Sequence, residues 1–215
     1  MNRFPALLCA MLLMLGPAFG ASATPPVEGT DYVTIDDAQP YAPLQGKVEV
    51  VEVFGYWCPH CAEFEPELAA WARRLPPGVR FTPVPAVFTA GDVLARAYFT
   101  AQHFGTLPVM HDAIFQAIHA DGTLPRNPSI DEMAAWFGQH GLDAGKARND
   151  MLSAPVEAKL ERARQFALRS GVEGTPTLVI NGRYRITAPT HEEGLRTASA
   201  LIQSLRTAAH RPPHS

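Results

Sequence analysis

Cysteine is scarce in this chain, with three thiols at positions 9, 58 and 61 among 215 residues. So few thiols exclude a scaffold stapled by several disulfides. There is no second C-x-x-C, and the eight histidines, at 60, 103, 111, 119, 140, 191, 210 and 214, include no pair three to five apart except His210 with His214. That argues against a four-ligand structural zinc site and leaves two-thiolate copper capture as the remaining metal reading. Nor is there a run of five or six like charges, and the formal net charge is only -3. The electrostatic footprint of a nucleic-acid binder is therefore missing. No segment after the first 20 residues is apolar enough to be a transmembrane candidate, and neither an internal repeat nor a low-complexity stretch is found.

The N-terminus departs from this ordinary globular pattern. Arg3 precedes an apolar run from Ala6 to Leu15 that ends near Gly16-Pro17, too short to span a bilayer, and Ala21-Ser22-Ala23 supplies small residues for cleavage. Residues 1–23 are thus expected to be a signal peptide cut before Thr24, although Gly20 and Ala21 also suit the peptidase. Its removal takes Arg3 from the 18 basic residues, leaving 17 against 21 acids and a net charge of -4. It also takes Cys9, so an exported chain keeps only Cys58 and Cys61. Closing a four-residue ring constrains an unfolded chain very little, so a stabilising role for that pair is weak.

Val-rich Lys47–Phe54 is expected to be a strand, with shorter ones at Tyr32–Ile35 and Val79–Val84. From Cys58 onward Phe64, Leu68, Trp71 and Leu75 recur at helical spacing, and Pro66 within that helix is read as a structural kink. Helices are expected at Asp92–Phe104, Val109–Ala120, Ser129–His140 (with a Ser129/Glu132 capping box) and Pro155–Arg169. Thr177–Ile180 and Arg183–Ile186 flank Asn181-Gly182, the signature of a type I′ hairpin, and a last helix follows a Thr190/Glu193 cap. Trp71, Trp136, Phe88, Phe99, Phe104 and Met110 are core candidates, and His103, His111 and His119, spaced by eight, are expected in solvent. Tyr56 and Trp57 are left open between loop packing and a substrate platform.

Cys58-Pro59-His60-Cys61 carries the chemistry. Disulfide exchange needs one thiolate to attack and a second thiol to resolve the mixed disulfide. With Cys58 at an N-cap and Pro59 at the first helical position, the Cys58 sulfur faces unpaired amides of the first turn, which favour the thiolate. His60 adds positive charge or a hydrogen bond. Cys61 lies one turn deeper, which makes Cys58 the nucleophile and Cys61 the resolving thiol. A favoured thiolate stabilises the reduced protein and makes it an oxidant. Strand parity puts Glu52 on the face of Val50 and Phe54 and Glu49 on the opposite one, so one acid must enter a packed layer.

These residues resemble the thioredoxin superfamily, and within it the DsbA-like periplasmic oxidases. Glu52-Val53-Phe54-Gly55-Tyr56-Trp57-Cys58-Pro59-His60-Cys61 with Phe64 is similar to the family's strand-to-helix signature. Gly174-Thr175-Pro176-Thr177 followed by the hairpin is similar to its cis-proline loop, and Thr175 stands where the best-known members have Val. The resemblance implies an α/β thioredoxin-like fold (24–87 and 166–209) interrupted by an all-helical domain (88–165); the tail at 210–215, with Pro212-Pro213, reads from its residues as disordered. The resemblance also implies Pro176 in cis beside Cys58, Thr175 backbone groups pairing with an extended substrate, and Glu52 buried beneath the cysteines to move protons at Cys61. It further implies a soluble monomer without cofactor, with reduced exported proteins as substrates and a DsbB-like membrane quinone oxidoreductase as reoxidant. The rival readings are a periplasmic reductase or isomerase and, from another class, a copper-binding or holdase module.

Overall fold

A computed structural model describes residues 24–89 and 91–209; the expected signal peptide and tail lie outside that range. The described chain contains β1 (Tyr32–Thr34), β2 (Val48–Phe54), α1 (Pro59–Ala72) and β3 (Val79–Pro85). Five helices follow: α2 (Val93–His103), α3 (Leu107–His119), α4 (Ile130–Gln139), α5 (Ala144–Met151) and α6 (Ala154–Arg169). The chain then returns to the sheet as β4 (Thr177–Ile180) and β5 (Tyr184–Ile186) before α7 (His191–Ala209).

The sheet order is β1-β5-β4-β2-β3, with β2 parallel to β3 and the other neighbours antiparallel. All seven residues of β2 are buried, as expected of an inner strand covered on both faces. On one face Val48 and Val50 pack with Phe64, Leu68 and Trp71 of α1 and Leu195, Ala198 and Ile202 of α7. Burial of each Val, Leu, Ile or Phe side chain there contributes about 1.5–3 kcal/mol. On the other face Val51 and Val53 meet a second core built from α2, α3, α4 and α6. β3 is an edge strand, which is why it accommodates Pro83 and Pro85: a missing N–H there breaks no inner ladder. The freed Pro83 carbonyl accepts a hydrogen bond from the Tyr98 hydroxyl at 2.7 Å.

Local rules account for the element ends. Ser129 and Glu132 form the expected reciprocal capping box, and the Glu193 amide donates to Thr190 Oγ1. Asn181 and Gly182 have φ of 53° and 64°, the left-handed pair a type I′ turn requires. One helix went unread. α5, capped by Asp143, buries only Ala147 and Met151, too short an apolar stripe for periodicity to register.

Two placements need correcting. Both β2 acids are buried, not one: Glu49 is 0% and Glu52 1% exposed, because each face of β2 carries its own helical layer. Glu49 is fully partnered, accepting from the Tyr41 and Ala42 amides at 2.7 and 3.0 Å and from Arg80 Nη2 at 2.6 Å. Of the expected core aromatics, Phe99, Trp71 and Trp136 are buried, as is Met110, whereas Phe88 is 59% and Phe104 37% exposed. Both exposed rings sit outside the helices, Phe104 as the C-cap of α2 and Phe88 in the β3–α2 connection, where helical spacing does not govern which way a side chain faces.

Candidate active site

The turn from β2 into α1 assembles the site. The Cys58 amide donates to the Gly55 carbonyl at 3.0 Å, and Cys58 is the N-cap of α1 in an extended conformation (φ -83°, ψ 120°), with Pro59 in the first turn. Proline is at home there, since its missing N–H has no helical partner to lose. Glycine is required at position 55 because a Cβ would lie 2.7 Å from the Trp57 indole. Cys58 and Cys61 are both free thiols. Cys61 is fully buried and Cys58 nearly so, at 3% exposure.

The Thr175–Pro176 bond is cis, and the Thr175 carbonyl accepts the Cys58 thiol at 3.3 Å across 117 residues of sequence. Two segments that sequence motifs alone linked are therefore in contact. Beside them lies a groove of about 340 Å³ lined by His60, Phe64, Thr175, Pro176, Leu178 and His191, among others. His60 is exposed and meets Glu63 rather than a cysteine, with Nδ1 3.4 Å from the carboxylate.

Beneath the thiols the setting turns apolar. Cys61 accepts the Gly55 amide at 3.5 Å. Burial pushes its thiol pKa up; the Gly55 hydrogen bond opposes this, while Glu52 and Cys58 reinforce it. Glu52 has neither carboxyl oxygen hydrogen-bonded. Its pKa is raised well above the usual carboxylate range, by burial first and then by the negative potential of Glu65 and Cys58. A carboxyl held protonated next to a buried thiol is equipped to exchange a proton with it. Among the described residues no cluster of three or more His, Cys, Asp or Glu could hold a metal ion.

The open question about the aromatic pair is resolved by burial. Tyr56 is core, 1% exposed, while Trp57 is half-buried and packs against exposed Phe88 with ring centroids 5.9 Å apart.

Comparison with known proteins gives the family. A family model described as a DSBA-like thioredoxin domain matches residues 78–198. The thiol:disulfide interchange protein DsbA of Azotobacter vinelandii is 38% identical over 84% of this chain and 85% of its own length. The chain belongs to the DsbA family. It is a thiol:disulfide oxidoreductase with a thioredoxin-like fold into which helices are inserted. DsbA of Pseudomonas aeruginosa PAO1 is 34% identical over 94% of this chain and 98% of that protein. The crystal structure of DsbA from Xylella fastidiosa superposes with a TM-score of 0.82 at 44% identity, covering 85% of this chain and 98% of the other.

Three polar groups at this DsbA centre escaped sequence reasoning. His111 and His119, expected in solvent, are half-buried against the active-site loop: His111 Nδ1 is 2.8 Å from the Tyr56 hydroxyl, and His119 Nε2 donates to the Tyr56 carbonyl at 2.7 Å. Glu65 of α1 lies 3.5 Å from His111 Nε2. A signal was present, since His111 leads Ile114, Phe115 and Ile118 at offsets of three, four and seven, the apolar stripe of α3. His103 is exposed as expected.

Proposed function

We propose that this protein oxidises reduced, extended segments of newly exported proteins, donating a Cys58–Cys61 disulfide through a mixed disulfide on Cys58. The observation that carries this reading is the meeting of the Cys58 sulfur with the Thr175 carbonyl beside Pro176, at the edge of an open groove. A substrate thiolate attacks Cys58 Sγ, the Cys58–Cys61 bond breaks, and Cys61 leaves as a thiolate. Glu52 delivers a proton to Cys61 and becomes a carboxylate. A second substrate thiolate then attacks the substrate sulfur of the mixed disulfide, forming the substrate disulfide and releasing Cys58 as the thiolate. Thr175 backbone groups would hold the substrate as an added strand, a mode that tolerates many sequences. Cys58 stands at the positive end of the α1 dipole, with Pro59 in the first turn and the exposed imidazole of His60 next in sequence.

Residues 1–23 act as the export signal and the protein works in the periplasm as a monomer. A DsbB-like membrane quinone oxidoreductase returns the dithiol to the disulfide, and no cofactor is needed. The division into 24–87, 88–165 and 166–209 serves this chemistry by seating the helical unit over the thioredoxin-like site.

The redox equilibrium of Cys58–Cys61 against glutathione tests the direction. Wild type is expected to be oxidising, and His60→Ser to become more reducing by at least about tenfold in the equilibrium constant, or about 30 mV. A wild type as reducing as a general reductase would overturn the oxidase reading in favour of the reductase or isomerase. Stoichiometric copper binding without turnover of a reduced substrate would favour the binding module.

A further inference from the structure

The helical insertion reaches the redox centre through α3, whose His111, Phe115 and His119 all meet Tyr56. His111 projects from α3 into a ring cage formed by Phe54 at 5.0 Å, Tyr56 at 5.3 Å, Phe115 at 5.3 Å and Tyr98 at 6.1 Å between centroids. One ring nitrogen is hydrogen-bonded inside that cage and the other faces a carboxylate. Nδ1 bonds the Tyr56 hydroxyl at 2.8 Å, and Nε2, otherwise without a hydrogen-bond partner, is 3.5 Å from Glu65 Oε2. Tyr56 immediately precedes Trp57 and Cys58 in the active-site turn. Glu65 sits one helical turn beyond Cys61 on α1, and its side chain is 17% exposed.

We propose that His111 is a positioning residue of the redox centre, holding Tyr56 under the active-site turn and facing the Glu65 carboxylate, so that the helical insertion governs proton exchange between Glu52 and Cys61. The proposal rests on the role given to Glu52 above. After burial itself, the negative charge of Glu65 is the largest influence holding Glu52 protonated. An imidazolium beside Glu65 cancels part of that charge and makes Glu52 the stronger acid; a neutral imidazole leaves it uncancelled. The titratable groups facing His111 are Tyr56 from the turn, Glu65 from α1 and Tyr98 from α2. Asp112, adjacent on α3, acts on Tyr56, and Glu52 of β2 lies within reach of the same field. Tyr56 has its own pKa raised well above that of a free phenol by burial and by these neighbours, so it stays neutral and serves as a hydrogen-bonding post.

The experiment is the pH profile of single-turnover oxidation of a reduced model peptide by the oxidised full-length mature protein. Wild type, Glu52→Gln, His111→Gln and Glu65→Gln are compared, with thermal melts confirming each fold. Glu52→Gln is expected to remove an inflection. His111→Gln, which keeps a hydrogen-bonding group for Tyr56 but cannot carry charge, is expected to move that inflection up by roughly half a pH unit or more. Glu65→Gln is expected to move it down, giving a second route to the answer should His111→Gln fail to fold. An inflection that survives Glu52→Gln would overturn the reading of Glu52 itself. One that Glu52→Gln removes but neither other variant moves would overturn the role of His111 alone.

Discussion

Cys58→Ser is expected to abolish substrate oxidation outright, while Cys61→Ser is expected to yield a protein that forms a mixed disulfide and cannot release it. The contrast follows from depth. Cys58 caps α1 with its sulfur toward the cis-proline loop, whereas Cys61 is fully buried, its thiol pKa raised by its surroundings. In the proposed mechanism the first attacks an incoming disulfide and the second resolves what the first has formed. Incubation of each reduced variant with oxidised glutathione, followed by intact-mass measurement, reads the outcome directly. One stable glutathione per chain is expected on Cys61→Ser and none on Cys58→Ser. An adduct that accumulates on Cys58→Ser would reverse the two roles.

The second large effect has opposite signs at two acids three residues apart on one strand. Glu49→Ala is expected to destabilise the fold by about 3–5 kcal/mol, since it strands the partly buried Arg80 guanidinium and unpairs the Tyr41 and Ala42 amides. Glu52→Gln is expected to stabilise it at neutral pH, because the amide is neutral without a proton, whereas the buried carboxyl must take one up as the chain folds. The pH dependence of the Glu52 effect is fixed in sign. Its pKa in the folded protein lies above the unfolded value, so the folded state binds more protons between the two. Stability therefore falls as pH rises from about 4.3, the unfolded value, through the folded pKa. Below that window both states are protonated and the advantage of Glu52→Gln shrinks. Urea unfolding at pH 4 and pH 8 separates these cases. A Glu52→Gln variant less stable than wild type at pH 8 would show that Glu52 is satisfied in a way its surroundings do not suggest. Retention of such an acid at a stability cost is what a proton-exchanging role at Cys61 entails.

Much of the site was legible from residue types because its chemistry is local. The Cys58-Pro59-His60-Cys61 turn combines an N-cap, a first-turn proline and two thiols one turn apart, all set by short-range helix geometry. The Asn181-Gly182 hairpin, the capping box at Ser129 and the Thr190 cap are local for the same reason, each requiring only a few backbone angles and one or two hydrogen bonds. The Cys58–Thr175 contact was within reach only through the family resemblance, since no short-range rule joins positions 117 residues apart.

What the sequence by itself determined, then, is where the two thiols stand and how the local elements begin and end. Tertiary structure decided what surrounds them. That β2 would be covered on both faces, burying Glu49 in a satisfied cage and Glu52 in an unsatisfied one, depends on where α1, α7 and the inserted helices pack. That His111 would leave solvent for the space between Tyr56 and Glu65 depends on how α3 docks against the active-site turn. Proton affinity is set by burial and by charges that the fold brings close from distant positions, so the thiols could be named from the chain, but the groups that tune them could not.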